Sequence, residues 1–426
     1  MKKNWCALCL SAILLLAGQG TAQAEGFAMN EWSARGLSLA GGMVARADDP
    51  SALAYNAAGI TQLPGTHLML GASIVSPYGS IEGTDQRTGA RTSMQTKVQS
   101  WTPAHFYLTH QLNDNVWLGL GSFTRFGLGL SYDGSWMGRY DVYDLALQSV
   151  SVVPTVAYKV NDWLSLSVGA ELMYASLYMG KKAPVAAFGH YFGDMDSQVE
   201  AHGYAGGYQL GAHVKLNDQW SLGLAYKSQV SMTMYGDIDF GGGKLYQTAL
   251  MGKPNLKKSD AEGTVVMPDS LAFGVSYKPL DNLSFEVGTV WTRWSTYDHL
   301  NMTFDGPYGE ESKSRKDFQD GWNFNASVEW KPLDWWALRA GVYYETPVIN
   351  EDYADFMMPT YGRTGLTAGM GFKWENFTLD LAYAHLIINQ LDYSTTRNGG
   401  VTAGVKNAKS EDCVANIYSL SLGYTF

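Results

Sequence analysis

Cysteine is nearly missing from this chain of 426 residues: there are three, and Cys6 and Cys9 fall within the first 24. Those 24 residues read as a secretory leader, with Lys2 and Lys3 ahead of an apolar run over 6–17 and the small-x-small pattern Ala22-Gln23-Ala24 at its end. The run is too short to cross a bilayer as a stable helix. Once the leader is gone only Cys413 remains, which excludes an internal disulfide. No histidine stands near it in sequence, and it reads as incidental. Mean hydropathy is slightly negative at −0.15, so a bundle of membrane helices is excluded as well. Basic residues are also short: setting Lys2 and Lys3 aside leaves 28 of the 30 against 40 acidic ones, a net charge of −12. A nucleic-acid partner asks for a basic face, and this chain offers none.

What the chain has is aromatics and glycine, with 26 Tyr, 14 Trp and 47 Gly. That mixture suits strands and close backbone approach better than helices. It also repeats a corner. VAYKVNDWLSLSVGA begins at Val156, HVKLNDQWSLGL spans 213–224, VSYKPLDNLSFEV spans 275–287 and VEWKPLDWWALRA spans 328–340. Each copy has an alternating apolar run, a Lys, a tight Asn/Asp or Pro/Asp turn, then a second alternating run.

Strict alternation marks a strand with one apolar face. In residues 164–174 Leu164, Leu166, Val168, Ala170, Leu172 and Tyr174 share one face, with Ser165, Ser167, Gly169, Glu171 and Met173 on the other. Leu420, Leu422, Tyr424 and Phe426 alternate in the same way with Ser421, Gly423 and Thr425. Strands are expected over 66–76, 98–111, 115–131, 145–159, 163–180, 202–216, 219–238, 262–278, 283–299, 317–332, 335–346, 362–374, 376–392 and 413–426. Most are long enough for a tilted strand to cross a bilayer, which takes about 9–11 residues. The turns alternate too. Asn113-Asp114, Asn161-Asp162, Asn217-Asp218, Pro279–Asn282, Pro332–Asp334 and Glu375-Asn376 are short, while 77–97, 132–144, 181–201, 239–261, 300–316, 347–361 and 393–412 are long and polar. Short turns on one side and long loops on the other are the pattern of an outer-membrane barrel. A soluble solenoid or propeller leaves that alternation unexplained. Trp117, Trp163, Trp220, Trp335, Trp336 and Trp374 flank the short turns and are expected to form an aromatic belt. Lys159, Lys215, Lys278, Lys331 and Lys373 beside them can snorkel or meet phosphate headgroups. The fold class expected is therefore all-β: a 14-stranded antiparallel transmembrane β-barrel over 66–426.

Residues 25–65 do not fit a strand pattern. They are rich in Ala and Gly, interrupted by Pro50 and Pro64, and read as helices of one or two turns, with Asp48 or Asp49 capping a turn that Pro50 begins. A barrel of this size encloses more space than side chains fill. The segment is expected to plug the lumen as a partly helical hatch.

The stretch GFAMNEWSARGLSLAGGMVARADDPSALAYNAAGITQLPG resembles the N-terminal hatch of the FadL-type outer-membrane transporters for long-chain fatty acids and other hydrophobic compounds. The likeness continues through FTRFGLGLSYDGSWMGRYD (123–141), LQSVSVVPTVAYKVNDWLSL (147–166) and the terminal LSLGYTF, and covers essentially the whole mature chain. The family's hatch usually carries Asn-Pro-Ala-Gly. Here Asn56-Ala57-Ala58-Gly59 keeps three of the four, and the absent proline leaves φ at 57 freer.

The resemblance implies a mechanism. Cargo binds from outside, drops into a tight apolar pocket, and leaves sideways into the membrane through a kink in the third strand. That strand holds Gly119, Gly121, Gly127 and Gly129 around the matching Phe126-Gly127-Leu128. Glycines inside a strand permit a bulge, although in barrels they also simply relieve crowding. Phe27 matches the family's aromatic that reaches the pocket, and movement of its segment is a natural gate. Asn56, Ala57 and Ala58 are carried over with the hatch motif. A fatty-acid carboxylate needs a cation once dehydrated. Candidates are Lys181 and Lys182 after the fifth strand and Arg315 and Lys316 before the tenth, though loop cations often meet only solvent or lipopolysaccharide. Glu171, Glu286, Glu329, Arg339 and Asp380 face the lumen by strand phase and read as an internal salt-bridge network. The implied partners are long-chain fatty acids or other hydrophobic small molecules, outer-membrane lipids and lipopolysaccharide, and the barrel-assembly machinery, with the protein acting as a monomer. Monoaromatic hydrocarbons, which need no cation, are the alternative cargo.

Other classes fit less well. An enzyme would need a nucleophile, base and orienter together. His105, His110, His213 and His385 lie on expected strands without such spacing, no metal cluster stands out and no cofactor is implied. A passive porin needs no plug of forty residues, and an adhesin would concentrate sequence in one loop.

Overall fold

The computed structural model describes residues 26–187, 190–241, 258–304, 311–396 and 400–426. The expected leader lies outside the described residues. Strand β1 spans Thr66–Asp85, β2 Arg91–Gln95 and Ala104–Gln111, and β3 Val116–Phe123 and Gly127–Ser131. Next come β4 (Asp144–Lys159), β5 (Leu164–Ala187), β6 (His190–Lys215) and β7 (Trp220–Lys227 and Val230–Gly241). β8 covers Lys258–Met267 and Ser270–Leu280, β9 Leu283–Thr292 and His299–Phe304, and β10 Glu311–Arg315 and Gly321–Leu333. β11 (Trp336–Glu345), β12 (Arg363–Trp374), β13 (Phe377–Ile388) and β14 (Val405–Thr425) complete the ring. Sequence neighbours pair antiparallel throughout, and β14 returns to β1 from His67↔Thr425 to Asp85↔Val405, closing a barrel of 14 strands.

Side-chain phase follows the alternation. Leu172 is 65% exposed toward lipid, whereas Glu171 and Met173 on either side are each 1% exposed and face the lumen. The height of the strands differs from expectation. β5 runs 24 residues and β6 26, and pairs such as Lys182↔Asp196 carry the ladder through 181–201, which the sequence suggested was loop. The ends of β1 and β14 rise in the same way. Above the membrane the outer face of a strand meets water, so the apolar alternation that marks a spanning strand is lost and the segment reads as loop.

Trp163, Trp220, Trp335 and Trp374 stand exposed near the short turns, as a belt requires. Trp117 does not. It shares the inward face of its cross-strand partner Ala157, and its Nε1–H donates to Leu63 O at 2.8 Å. Strand phase, not distance from the turn, decides the direction. Lys159, Lys215 and Lys278 fold back onto Asp162, Asp218 and Asp281 of their own turns, at 3.0, 2.9 and 3.8 Å.

Residues 26–65 fill the lumen. Helix α1 (Ala34–Ser38) starts at Ser33, whose hydroxyl accepts from Gly36 N at 3.0 Å. Asp49 Oδ1 accepts from Ser51 N at 2.8 Å and leads into α2 (Ala52–Tyr55). Asn56 caps the 3-10 turn Ala57–Gln62. One flank is apolar, with Trp32, Leu39, Met43, Leu53 and Ile60 packed against inward residues of β2–β4. The other is polar. Arg35 binds Glu329 of β10 through two bonds at 3.0 Å and also reaches Asp48 and Asp49. Arg339 joins Glu329 to Asp380 at 2.6 Å each, so three of the expected lumen charges form one network. Glu286 does something else: it accepts the backbone N–H groups of Val44, Ala45 and Arg46 at 2.8, 3.0 and 2.7 Å, holding a hatch turn to β9.

Candidate functional site

The site begins where β2 and β3 separate. They pair from Gln111↔Trp117 up to Phe106↔Ser122 and no further. On its other side β3 pairs with β4 to Phe123↔Ser151 and resumes at Gly127↔Gln148, so three residues of β3 face two of β4. That is the count of a bulge. It also reverses the side-chain phase. Above the break Leu128 and Leu130 pair with the lumen-facing Leu147 and Leu145, leaving Gly127 and Gly129 turned toward the gap.

Backbone groups freed in a buried break must find partners, and the hatch supplies most of them. Met29 N donates to Arg125 O and Gly127 N to Phe27 O, both at 3.0 Å, so residues 27–29 replace β2 as the neighbour of β3. Trp32 Nε1 donates to Thr124 O at 2.7 Å. A side chain of the break completes the hold. Arg125 crosses the lumen to Glu171 Oε2 at 2.9 Å and donates to Ser228 O at 2.9 Å and Pro268 O at 3.0 Å, at the interruptions in β7 and β8. Glu171 was legible from strand phase. Arg125 was missed, although a cation inside a lipid-crossing strand is itself a signal.

Above Phe106↔Ser122 the strands stay apart until Lys97 N donates to Ser131 O at 2.7 Å. The result is a window in the barrel wall, framed by 97–106 and 122–131. A cavity of about 740 Å³ lies in and behind it, lined by Phe27, Trp101, Leu128, Leu130 and Leu147, with lipid-facing Phe106 and Val150 at its rim. Its size falls within the roughly 300–1,000 Å³ of small-molecule sites. At the inner end Phe27 packs edge-on against Trp294, Tyr297 and Phe126, at 4.6, 5.6 and 6.0 Å between ring centres.

Of the sequence-predicted residues, Phe27, Phe126, Gly127 and Leu128 come together here. Asn56, Ala57 and Ala58 do not line the cavity. Asn56 Nδ2 donates to Val44 O at 2.8 Å and to Ala212 O of β6 at 2.9 Å, tying hatch to wall. Ala57 opens the 3-10 turn, a position that accepts proline or alanine alike, so its departure from the motif costs no contact. Lys181, Lys182, Arg315 and Lys316 stand at the outer end, away from the cavity lining. Lys182 pairs with Asp196 at 2.6 Å, Arg315 with Asp317, and Lys316 is buried against Asp355. Burial alone would push the Lys316 ammonium down, but Asp355, Tyr297 and Asp141 outweigh it and hold it above the ordinary lysine value. The cations that do line the cavity are Lys97 and Arg363. Arg363 is paired with Glu345, whereas Lys97 has no ion pair among the described residues. His105, which lines the cavity, places its Nε2 2.8 Å from Ser421 Oγ, and its Nδ1 has no partner among the described residues.

Residues 14–426 match the family of outer membrane protein transport proteins, OMPP1/FadL/TodX. The chain belongs to this family. Its relatives include a putative outer membrane protein of Neisseria meningitidis serogroup B, 28% identical over 470 residues and 98% of each chain. The long-chain fatty acid transport protein of Escherichia coli O6:H1 is 22% identical over 405 residues, covering 88% of this chain and 89% of the relative. Among solved structures, a Pseudomonas aeruginosa FadL homologue superposes with a TM-score of 0.83 at 18% identity, covering 94% of this chain and 100% of that one. The Pseudomonas putida toluene transporter TodX gives 0.71 at 17% identity, with the same coverage. At such identities the structural likeness speaks for the fold. The protein is a FadL-family barrel of the outer membrane, and the family transports hydrophobic molecules.

Proposed function

We propose that this protein takes up long-chain fatty acids, holds them in the cavity behind the β2–β3 window, and releases them sideways into the outer membrane. The observation that carries this reading is the window itself. An apolar cavity of about 740 Å³ opens through a gap in the strand ladder, level with lipid-facing Phe106 and Val150. An acyl chain gains about 0.8 kcal/mol for each CH2 buried, so it favours an apolar path throughout. Phe27, Phe126, Gly127 and Leu128 form the inner side of that path, and residues 27–29 are its natural gate. Lys97, at the rim, is the cation best placed for a carboxylate. Lys181, Lys182, Arg315 and Lys316 stand farther out, where a carboxylate arriving from water meets them first.

One observation favours the second cargo. Arg363 is already paired with Glu345, and three of the four outer cations are paired with aspartates. A monoaromatic hydrocarbon needs no cation. The test is uptake of radiolabelled oleate, and separately of toluene, by cells lacking their own fatty-acid importer, with and without this protein. Oleate uptake that depends on the protein supports the fatty-acid reading. Toluene uptake without oleate uptake replaces it with the hydrocarbon reading.

A further inference from the structure

Resting on the sideways route proposed above, we propose that Trp101 is the movable leaf that closes the window, with Gly129 as its seat. Trp101 lies on the β2 side of the gap, bridged to β1 by backbone bonds with Val75 at 2.8 and 2.9 Å. Its indole crosses to β3. A Cβ built on Gly129 would fall inside that indole, against Cε2, Nε1 and Cζ2. The bulge turns the bare face of Gly129 outward into the gap, so the ring stands in the passage between cavity and lipid and narrows it.

Gly127 has the matching role farther inward. A Cβ there would stand 2.7 Å from Met29 Sδ, on the hatch segment. The two glycines of the kinked segment therefore seat two different plugs, Met29 from the hatch and Trp101 from the wall.

The indole, like that of Trp294 beside Phe27, has no hydrogen bond at its ring nitrogen among the described residues, unlike three others. Trp32, Trp117 and Trp136 each donate Nε1–H to a backbone carbonyl, at 2.7, 2.8 and 2.7 Å. Trp101 Nε1 is buried without a partner among the described residues. An indole fixed by apolar contact alone, with an unsatisfied N–H, loses little on swinging away and can satisfy that N–H when it does. Cargo arriving in the cavity would displace it by competing for the surface of Gly129 and Leu128.

The experiment measures saturable uptake of oleate and of toluene with the full-length protein in importer-deficient cells, folding being checked by heat-modifiable gel mobility. Trp101→Ala is expected to raise the maximal rate by about threefold or more because it removes the exit leaf, and to raise KM as well because Trp101 also lines the cavity. Trp101→Phe keeps an apolar leaf and is expected to stay near the wild type. Trp101→Ala with Gly129→Trp refills the gap from β3 and is expected to return the rate to wild type or below. If Trp101→Ala and Trp101→Phe behave alike at the wild-type rate while the double variant stops uptake, the window is the route but Trp101 is not its leaf. If all three folded variants match the wild type, or the wild type takes up neither compound, the sideways route falls and the leaf with it.

Discussion

Arg125 is the residue on which the shape of the site turns. Its guanidinium sits in the lumen with Glu171 and two carbonyls, and Glu171 is otherwise held by Ser151 Oγ at 2.7 Å and Gln209 Nε2 at 3.4 Å. Removing one partner of a buried pair leaves an uncompensated charge, which costs about 3–5 kcal/mol. Arg125→Met is therefore expected to lower unfolding stability by about that amount, and Arg125→Met with Glu171→Gln to recover most of it. Urea unfolding of the refolded barrel in detergent measures both. Equal losses in single and double variants would mean that the pair does not hold the kink. At this scale the sequence was only partly legible. Strand phase placed Glu171, Glu329, Arg339 and Asp380 in the lumen, and the FTRFGL motif held the kink. The partners of a long side chain depend on which strands meet across the lumen, and alternation along one strand does not encode that.

Elements show the same division. Each spanning strand was legible because lipid on one side and a polar lumen on the other impose alternation. Their tops were not, since that constraint ends at the membrane surface. The segment 346–362 between β11 and β12 shows what this hides. Instead of lying in solvent it folds inward, burying Val348, Ile349, Ala354, Phe356 and Met358 in the apolar cluster that contains Phe27. Its polar ties include Lys316 with Asp355, Asp141 Oδ2 accepting from Phe356 N at 2.7 Å and Val348 O accepting from Gln319 N at 2.7 Å. Burial and the facing carboxylate of Asp355 push the Asp141 carboxyl up to about 7, despite Lys316 and Lys181 nearby. An unfolded aspartate titrates near about 3.9. Between those values the folded chain holds a proton that the unfolded chain lacks, so this contribution to stability is full below about pH 4 and is lost as pH rises through about 7. Asp141→Asn keeps the acceptor for Phe356 N and removes the proton. Its heat-modifiability midpoint is expected to fall less than that of the wild type between about pH 5 and pH 8. An unchanged pH profile would show that Asp141 does not titrate with folding.

The whole molecule is divided into two halves of opposite character. Below the hatch, two vestibules of about 320 and 250 Å³, the smaller mainly polar and the larger of mixed character, share Asp48, Glu329 and Lys331 among their walls. Between them and the cavity stand α1, α2 and the Arg35–Glu329–Arg339–Asp380 network. A hydrophobic molecule going straight through would have to separate buried ion pairs that each cost several kcal/mol to break. Going sideways, it passes the hatch residues 27–29 and the contacts of Met29 with Gly127 and of Trp101 with Gly129. The barrel, its strand number and its plug were legible in the sequence because composition and alternation report what each face touches. The window was legible only as a run of glycines, because a missing strand pair is a relation between β2 and β3 and not a property of either.

The most direct test of the sideways route is to find where cargo rests on its way. Refolded protein in lipid vesicles would be loaded with a fatty acid carrying a diazirine on its acyl chain, irradiated, and its adducts mapped by mass spectrometry. Adducts on Trp101, Leu128 and Leu130 are predicted, with none in the vestibules below the hatch. Adducts concentrated at Asp48, Lys331 and Trp336 instead would place the path through the hatch and contradict the account.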